Sequence, residues 1–242
     1  MRRLLVATAL IGTAYAADDA AVRGASSSSG VVAVYDCERS SRVTVRASSA
    51  QDAQTACEGA LRALDFLAKA GLEAPSTTTI EIVPALPGEL AGRALGCYMP
   101  EVRRILLVDF DVLLAGGGWY RMPASRELYR AVASHEVAHA VVGRCSAPRR
   151  LPVAAHEYVA YVVMFATMDS ALRAAILARF PDAGFETAAQ ISDLNHLVDP
   201  NRFGVRSWRH YLKAPDHDVW LRRVIGGDGV PELSADPDAA SR

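Results

Sequence analysis

The chain has 242 residues, 51% of them hydrophobic, and its 26 basic and 27 acidic side chains leave a formal net charge of −1. That length suits one domain with a substantial core. Charges of both signs are mixed along the chain, which gives no electrostatic footprint for nucleic acid or for an anionic membrane surface.

Met1-Arg2-Arg3, the apolar run Leu4 to Ile11 and Ala14-Tyr15-Ala16 have the charged, apolar, small-residue order of a secretory signal peptide. Cleavage is expected after Ala16, with export to the periplasm or the exterior. The run is too short for a permanent span, and no later stretch reaches about 18 uninterrupted apolar residues, so no stable membrane insertion is expected. All four cysteines (Cys37, Cys57, Cys97 and Cys145) follow the leader. An even count in an exported chain reads as disulfides. Three pairings are open; Cys37 with Cys57 and Cys97 with Cys145 is preferred because each bridge then joins neighbouring elements.

Residues 17–30, with Ser26 to Ser29, are small and polar and form a flexible lead-in. The folded domain is expected over 31–225, and the Gly- and Pro-rich segment 226–242 reads as a disordered tail. Val31 to Tyr35 and Val43 to Arg46 are short β-branched segments around a polar turn, the pattern of a hairpin. Ser48 or Ser49 then caps a helix whose apolar or small positions Ala53, Cys57, Ala60, Leu61, Leu64 and Leu67 recur at helical spacing up to Gly71. Thr79 to Val83 and Arg104 to Val108 read as two further strands. After Gly116-Gly117-Gly118 everything to Ile225 reads as helices, divided at Pro148, Pro152, Pro181, Pro200 and Pro215. The fold class is therefore α+β: a small N-terminal mixed β-sheet with one helix, followed by a helical half.

The helix expected over Ser125 to Val142, with Gly143 placed to end it, carries His135-Glu136-Val137-Ala138-His139. Histidines four apart project from one helical face and can reach a single ion. Glu136, beside the first of them, is placed to accept a proton from a metal-activated water. Three fixed residues in five positions arise by chance in roughly one chain of this size in a hundred. The surrounding Val and Ala residues strengthen the pattern, because they leave this helix no obvious solvent face.

The run Val132 to Val141 resembles the extended zinc-binding signature of the zincin metallopeptidases. A metzincin arrangement is excluded by Val142 and Cys145, which stand where that subgroup has glycine and a third histidine. Gluzincins take their third ligand from a glutamate on the next helix. Here Pro152 opens such a helix and Glu157 follows His139 after seventeen intervening residues, a spacing similar to that of aminopeptidase-type gluzincins. The resemblance covers about thirty residues and implies a zincin-like fold with one catalytic Zn2+ on His135, His139 and Glu157, and Glu136 as base. His156 is the rival third ligand, but adjacent helical residues point about 100° apart and only one can face the first helix. Glu157, Ala160 and Tyr161 form the inward stripe that favours Glu157.

The resemblance further implies a donor for the oxyanion from a later helix, for which His210 and Tyr211 are the candidates and His196 a third. The expected activity is peptide-bond hydrolysis on a peptide or protein substrate, an endopeptidase being favoured over an aminopeptidase because no acidic motif for a free amino terminus stands out. A catalytically inactive zinc-binding or scaffold protein on the same fold is the alternative. Arg103 to Val108 is the expected sheet edge beside the active-site helix.

Overall fold

The computed structural model describes residues 6–9, 31–37, 42–73, 77–146 and 151–227. Its elements run β1 (Val6–Ala9), β2 (Ala33–Asp36), β3 (Val43–Ala47), α1 (Ala50–Lys69), β4 (Thr78–Val83), β5 (Ala94–Met99), β6 (Arg104–Val108), α2 (Phe110–Ala115), α3 (Arg126–Cys145), α4 (Val153–Thr167), α5 (Ser170–Arg179), α6 (Asp193–Val198), α7 (Pro200–Tyr211) and α8 (His217–Ile225). The fold is α+β, a mixed sheet followed by a helical half.

The strands lie in the order β1-β5-β6-β4-β3-β2. Strands β3, β4 and β6 are parallel, while β2, β5 and β1 pair antiparallel with their neighbours. The register aligns Val45, Ile80, Ile105 and Tyr98 across the sheet. Alternation then places Ala47, Ile82, Leu107 and Gly96 on that same face, turned toward α1 and α3. Burying each such aliphatic side chain contributes about 1.5–3 kcal/mol.

Helix α1 begins where expected: the Ser49 side chain accepts a hydrogen bond from the Asp52 amide. It packs closely on α3 at Gly59, where a Cβ would stand 2.4 Å from the Arg130 carbonyl oxygen. The Arg126 guanidinium donates to the Asp52 carboxylate, which also accepts from the Phe110 amide at 3.2 Å. This polar contact ties the start of α3 to α1 and α2. Cys37 is disulfide-bonded to Cys57, stapling the end of β2 to α1.

Several expectations are corrected. The strand Arg104–Val108 lies between β4 and β5 and is not the edge. The strand beside α3 is β5, which carries no β-branched residue and is interrupted by Gly96. Helix α3 does not stop at Gly143 but continues to Cys145. Gly143 serves packing, since a Cβ there would stand 3.2 Å from the Tyr98 ring. Cys97 and Cys145 are free thiols. Gly96 and Tyr98 face α3, so Cys97 between them points to the other face of the sheet and cannot reach Cys145 at the helix end.

Of the expected leader only Val6–Ala9 is described, as a strand paired with β5. The remainder of that leader, the cleavage site after Ala16, the lead-in 17–30 and the tail beyond Gly227 lie outside the described residues. No helix among the described residues is long and apolar enough to cross a membrane.

Candidate metal centre

Helix α3 is anchored at both ends of the stretch that matters. Ser125 caps it by accepting from the Leu128 amide at 3.1 Å, and Ser134 Oγ donates to the Gly59 carbonyl of α1 at 2.9 Å. One turn of this helix then presents His135 and His139 on the same side, with their Nε2 atoms 3.0 Å apart. Helix α4, opened by Pro152, packs alongside and delivers Glu157 between them. Glu157 Oε2 lies 3.4 Å from His135 Nε2, and Oε1 lies 3.5 Å from His139 Nε2. The ligand-type atoms of His135, His139 and Glu157 all fall within 4.8 Å of one another, and all three residues are buried.

These atoms fit a small divalent cation. Bonds of about 2.0–2.1 Å in tetrahedral geometry keep ligand atoms about 3.3 Å apart, close to the separations found. Two Nε2 atoms at 3.0 Å cannot both present lone pairs to each other unless a proton or a cation lies between. Neither oxygen of Glu157 nor the Nδ1 of His135 or His139 has a hydrogen-bond partner among the described residues. A buried carboxylate whose neighbours are imidazole nitrogens at 3.4–3.6 Å leaves its acceptor positions for a cation or ordered water to fill. A buried His-His-Glu group able to hold a metal ion is therefore present.

The electrostatics agree with that role. Burial holds His139 well below the ordinary imidazole range, against the opposing pull of Glu157. Burial also pushes the Glu157 carboxyl up, but the facing His139, His135 and His196 outweigh it and bring it down to about 2. The cluster thus holds an ionised Glu157 carboxylate facing His139, whose burial opposes its protonation, which is the state metal ligation requires.

His156, the rival ligand, is buried but stands outside the group, with its ring centroid 6.2 Å from that of His139 and its Nδ1 unmatched among the described residues. Glu136 is fully buried and lies against β5. A Cβ on Gly96 would stand 2.6 Å from Glu136 Cγ and 2.9 Å from Oε1. Strand β5 and the carboxylate can meet only because position 96 has no side chain. Glu136 in turn helps burial push the Cys97 thiol up to about 12.

The three candidate donors separate. His196, on α6, lies beside Glu157, its Nε2 3.6 Å from Oε2, and stands outside the three-residue group. His210 and Tyr211 are not brought there. His210 Nδ1 pairs with the Tyr158 hydroxyl at 2.8 Å, which also accepts from Trp220 Nε1 at 2.9 Å. The Tyr211 ring packs against Phe66, Trp208 and His217. Helix α7 meets the Tyr161 ring at Phe203 and Gly204, and a rise of about 1.5 Å per residue carries His210 roughly 9 Å beyond that crossing.

The chain belongs to DUF6639, a family of unknown function. Residues 43–234 match the family model, a span that includes every side chain of the centre. No curated protein and no solved structure matches the chain.

Two contributors to the site had no sequence signal. Gly96 is one, since its role exists only across the strand–helix contact. Trp119 is the other: its ring stands edge-on to His135 with centroids 6.4 Å apart. It is placed by a tight turn in which Tyr120 and Arg121 hold φ at 55° and 58° and Trp119 and Met122 exchange main-chain hydrogen bonds. Such angles cost non-glycine residues about 1–2 kcal/mol each, which the packing of Tyr120 against Tyr161, Phe165 and Phe180 helps offset. Tyr161, four residues after Glu157, was legible from the helical stripe; its ring lies 4.6 Å from that of His135.

Proposed function

We propose that the chain is an exported zinc-dependent metallopeptidase, with His135, His139 and Glu157 as the metal ligands and Glu136 as general base. The observation that carries this reading is the convergence of two histidines from α3 and a carboxylate from α4, with Glu136 one residue from the first ligand and pressed against β5. Two imidazoles and one carboxylate are a donor set that suits zinc, and three protein ligands leave a position for reactants. Zinc, when bound, supplies Lewis-acid polarisation of a carbonyl and acidification of water.

The chain's own residues carry the rest. Glu136 accepts a proton from the attacking water and passes it to the departing amine. The contact with Gly96 fixes where its carboxylate can sit, which is the positioning such a transfer needs. Trp119 and Tyr161 flank His135 and keep bulk water from that side. The Cys37–Cys57 disulfide fits an oxidising compartment, periplasmic or extracellular.

A second reading keeps the metal and drops the reaction: a zinc-stabilised binding or scaffold protein. The complete burial of His135, Glu136, His139 and Glu157 favours it, since a substrate must reach these groups. The experiment that separates the two is Glu136→Gln in purified protein. The peptidase reading expects about one zinc per chain in both forms, hydrolysis of a denatured-protein substrate by the wild type, and loss of at least about 100-fold in the variant. Equal activity in both forms would remove Glu136 from the mechanism, and no hydrolysis by zinc-loaded wild type would leave the scaffold reading.

A further inference from the structure

We propose that α6 is a lid over the metal centre, latched to α4 by Asp193, and that its opening admits whatever the buried site receives. This inference rests on the metal-binding part of the reading above and not on the hydrolysis.

His135, Glu136, His139 and Glu157 are all 0% exposed, so neither an ion nor a substrate reaches them while the surrounding elements keep their places. Most of those elements are fixed by apolar packing. Helices α3 and α4 bury most of their residues, and β5 is hydrogen-bonded to β6. The turn at Trp119 keeps the Trp119 and Tyr120 side chains buried among other aromatic rings. Moving any of these exposes large apolar side chains to water, which the hydrophobic effect opposes.

Helix α6 is held differently. It lies against the ligand carboxylate through His196, whose Nε2 is 3.6 Å from Glu157 Oε2, and His196 is its only buried residue. Leu194, Leu197 and Val198 already face outward, so lifting the helix takes none of its own aliphatic side chains out of the core. Polar contacts hold it in place. The Asp193 carboxylate accepts from the Ala154 amide at 2.7 Å, and Asn195 Nδ2 donates to the Gln190 carbonyl at 2.7 Å. Only the first of these reaches α4. It is charge-assisted and meets the first turn of that helix, where amides have no partner within the helix. The His196 ring packs edge-on to Phe203 with centroids 5.3 Å apart, but its Nε2 has no hydrogen-bond partner among the described residues. Ile191 before the segment and Pro200 after it are buried, which places the hinges at the two ends of residues 192–199. A segment with so little buried apolar surface opens at lower cost than the core around it.

The test uses the full-length protein and two readouts: amide deuterium uptake over residues 192–199, and the rates at which zinc enters metal-free protein and leaves loaded protein for excess chelator. Asp193→Ala removes the latch, and Asp193→Asn keeps an acceptor in its place. Asp169→Ala, which removes the cap of α5, controls for the loss of a helix-end carboxylate. Far-UV circular dichroism identifies a variant that fails to fold; Asn195→Ala, which cuts the other tie, then takes the place of Asp193→Ala. The expected result for Asp193→Ala is deuterium uptake over 192–199, zinc entry and zinc release all faster by at least about 10-fold. Asp193→Asn should lie closer to wild type, and Asp169→Ala should leave zinc entry and release unchanged. Faster release without faster entry would show a weakened site and overturn the proposal. Unchanged uptake over 192–199, or faster uptake with unchanged zinc rates, would overturn it as well. Wild type that binds no zinc would overturn it together with the metallopeptidase reading. Latch-dependent zinc entry in a protein that hydrolyses nothing would uphold the lid and end the peptidase reading alone.

Discussion

Gly96→Ala puts one methyl group into the contact between β5 and Glu136. A Cβ built on Gly96 stands 2.6 Å from Glu136 Cγ and 2.9 Å from Cδ and Oε1, against about 3.5–4.0 Å for an unstrained carbon contact. The backbone at position 96 is not in the left-handed region, so the perturbation is purely steric. About 1 Å of room must come from a shift of the strand or of the carboxylate. The flanking residues Leu95 and Cys97 are buried, and β5 is hydrogen-bonded to β6, so the strand resists and the carboxylate yields. Overpacking of this kind costs about 1–3 kcal/mol, and a catalytic group displaced by about 1 Å loses on the order of 100-fold in rate. The variant should therefore unfold several degrees below wild type in a calorimetric scan, keep its full zinc content by elemental analysis, and lose about 100-fold in kcat. On the proposed ligand set zinc is retained, because the three heavy atoms nearest that Cβ all belong to Glu136. Unchanged stability together with unchanged kcat would refute the close approach of β5 to Glu136, and loss of zinc would show that the ligands, not the base, had moved.

Three further outcomes are expected. Glu157→Ala should abolish metal binding in a competition titration with a chromophoric chelator, whereas His156→Ala should retain wild-type affinity; the reverse result would exchange the two assignments. Replacing Cys37 and Cys57 by serine releases a crosslink across 20 residues and should cost about 3 kcal/mol in urea denaturation, while Cys145→Ser should change stability little under the same conditions. The metal-free protein should lose stability on acidification. Burial holds His139, His156 and His196 below the ordinary imidazole value, so just below about pH 6.5 the unfolded chain binds protons that the folded chain refuses. Their contribution is complete above that pH and falls as the pH drops toward the lowered folded values, by up to about 1.4 kcal/mol per pH unit for each histidine. Denaturant midpoints at pH 7.5, 6.5 and 5.5 in the presence of a chelator measure this, and a flat profile would show that these imidazoles are free to protonate.

What the sequence disclosed about the site follows from how local each relation is. The four-residue spacing of His135 and His139 is a property of one helix, and the rival claims of His156 and Glu157 differ by a rotation about one helix axis, so both could be read directly. The α+β division and the Cys37–Cys57 bridge were legible for the same reason, because they depend on nearby segments. Relations between elements were not. Cys97 failed to reach Cys145 because strand alternation turns it away from α3. Gly143 looked like a helix stop, but it is the close contact that lets Tyr98 approach α3. His210 and Tyr211 had suitable chemistry, yet the level at which α7 crosses α4 puts Gly204 rather than either of them against Tyr161.

His196 shows the limit most clearly, and for a physical reason. In a six-residue segment holding Leu194, Leu197 and Val198, hydrophobic periodicity turns the leucines inward and the histidine out. The observed helix does the opposite. A local rule that fails at one short element, while it holds for α1 and α3 around it, marks a position where another interaction outweighs apolar burial. Here the Asp193 carboxylate, accepting from the Ala154 amide at 2.7 Å, and Asn195 Nδ2, donating to the Gln190 carbonyl at 2.7 Å, are the interactions that hold the helix in that rotation.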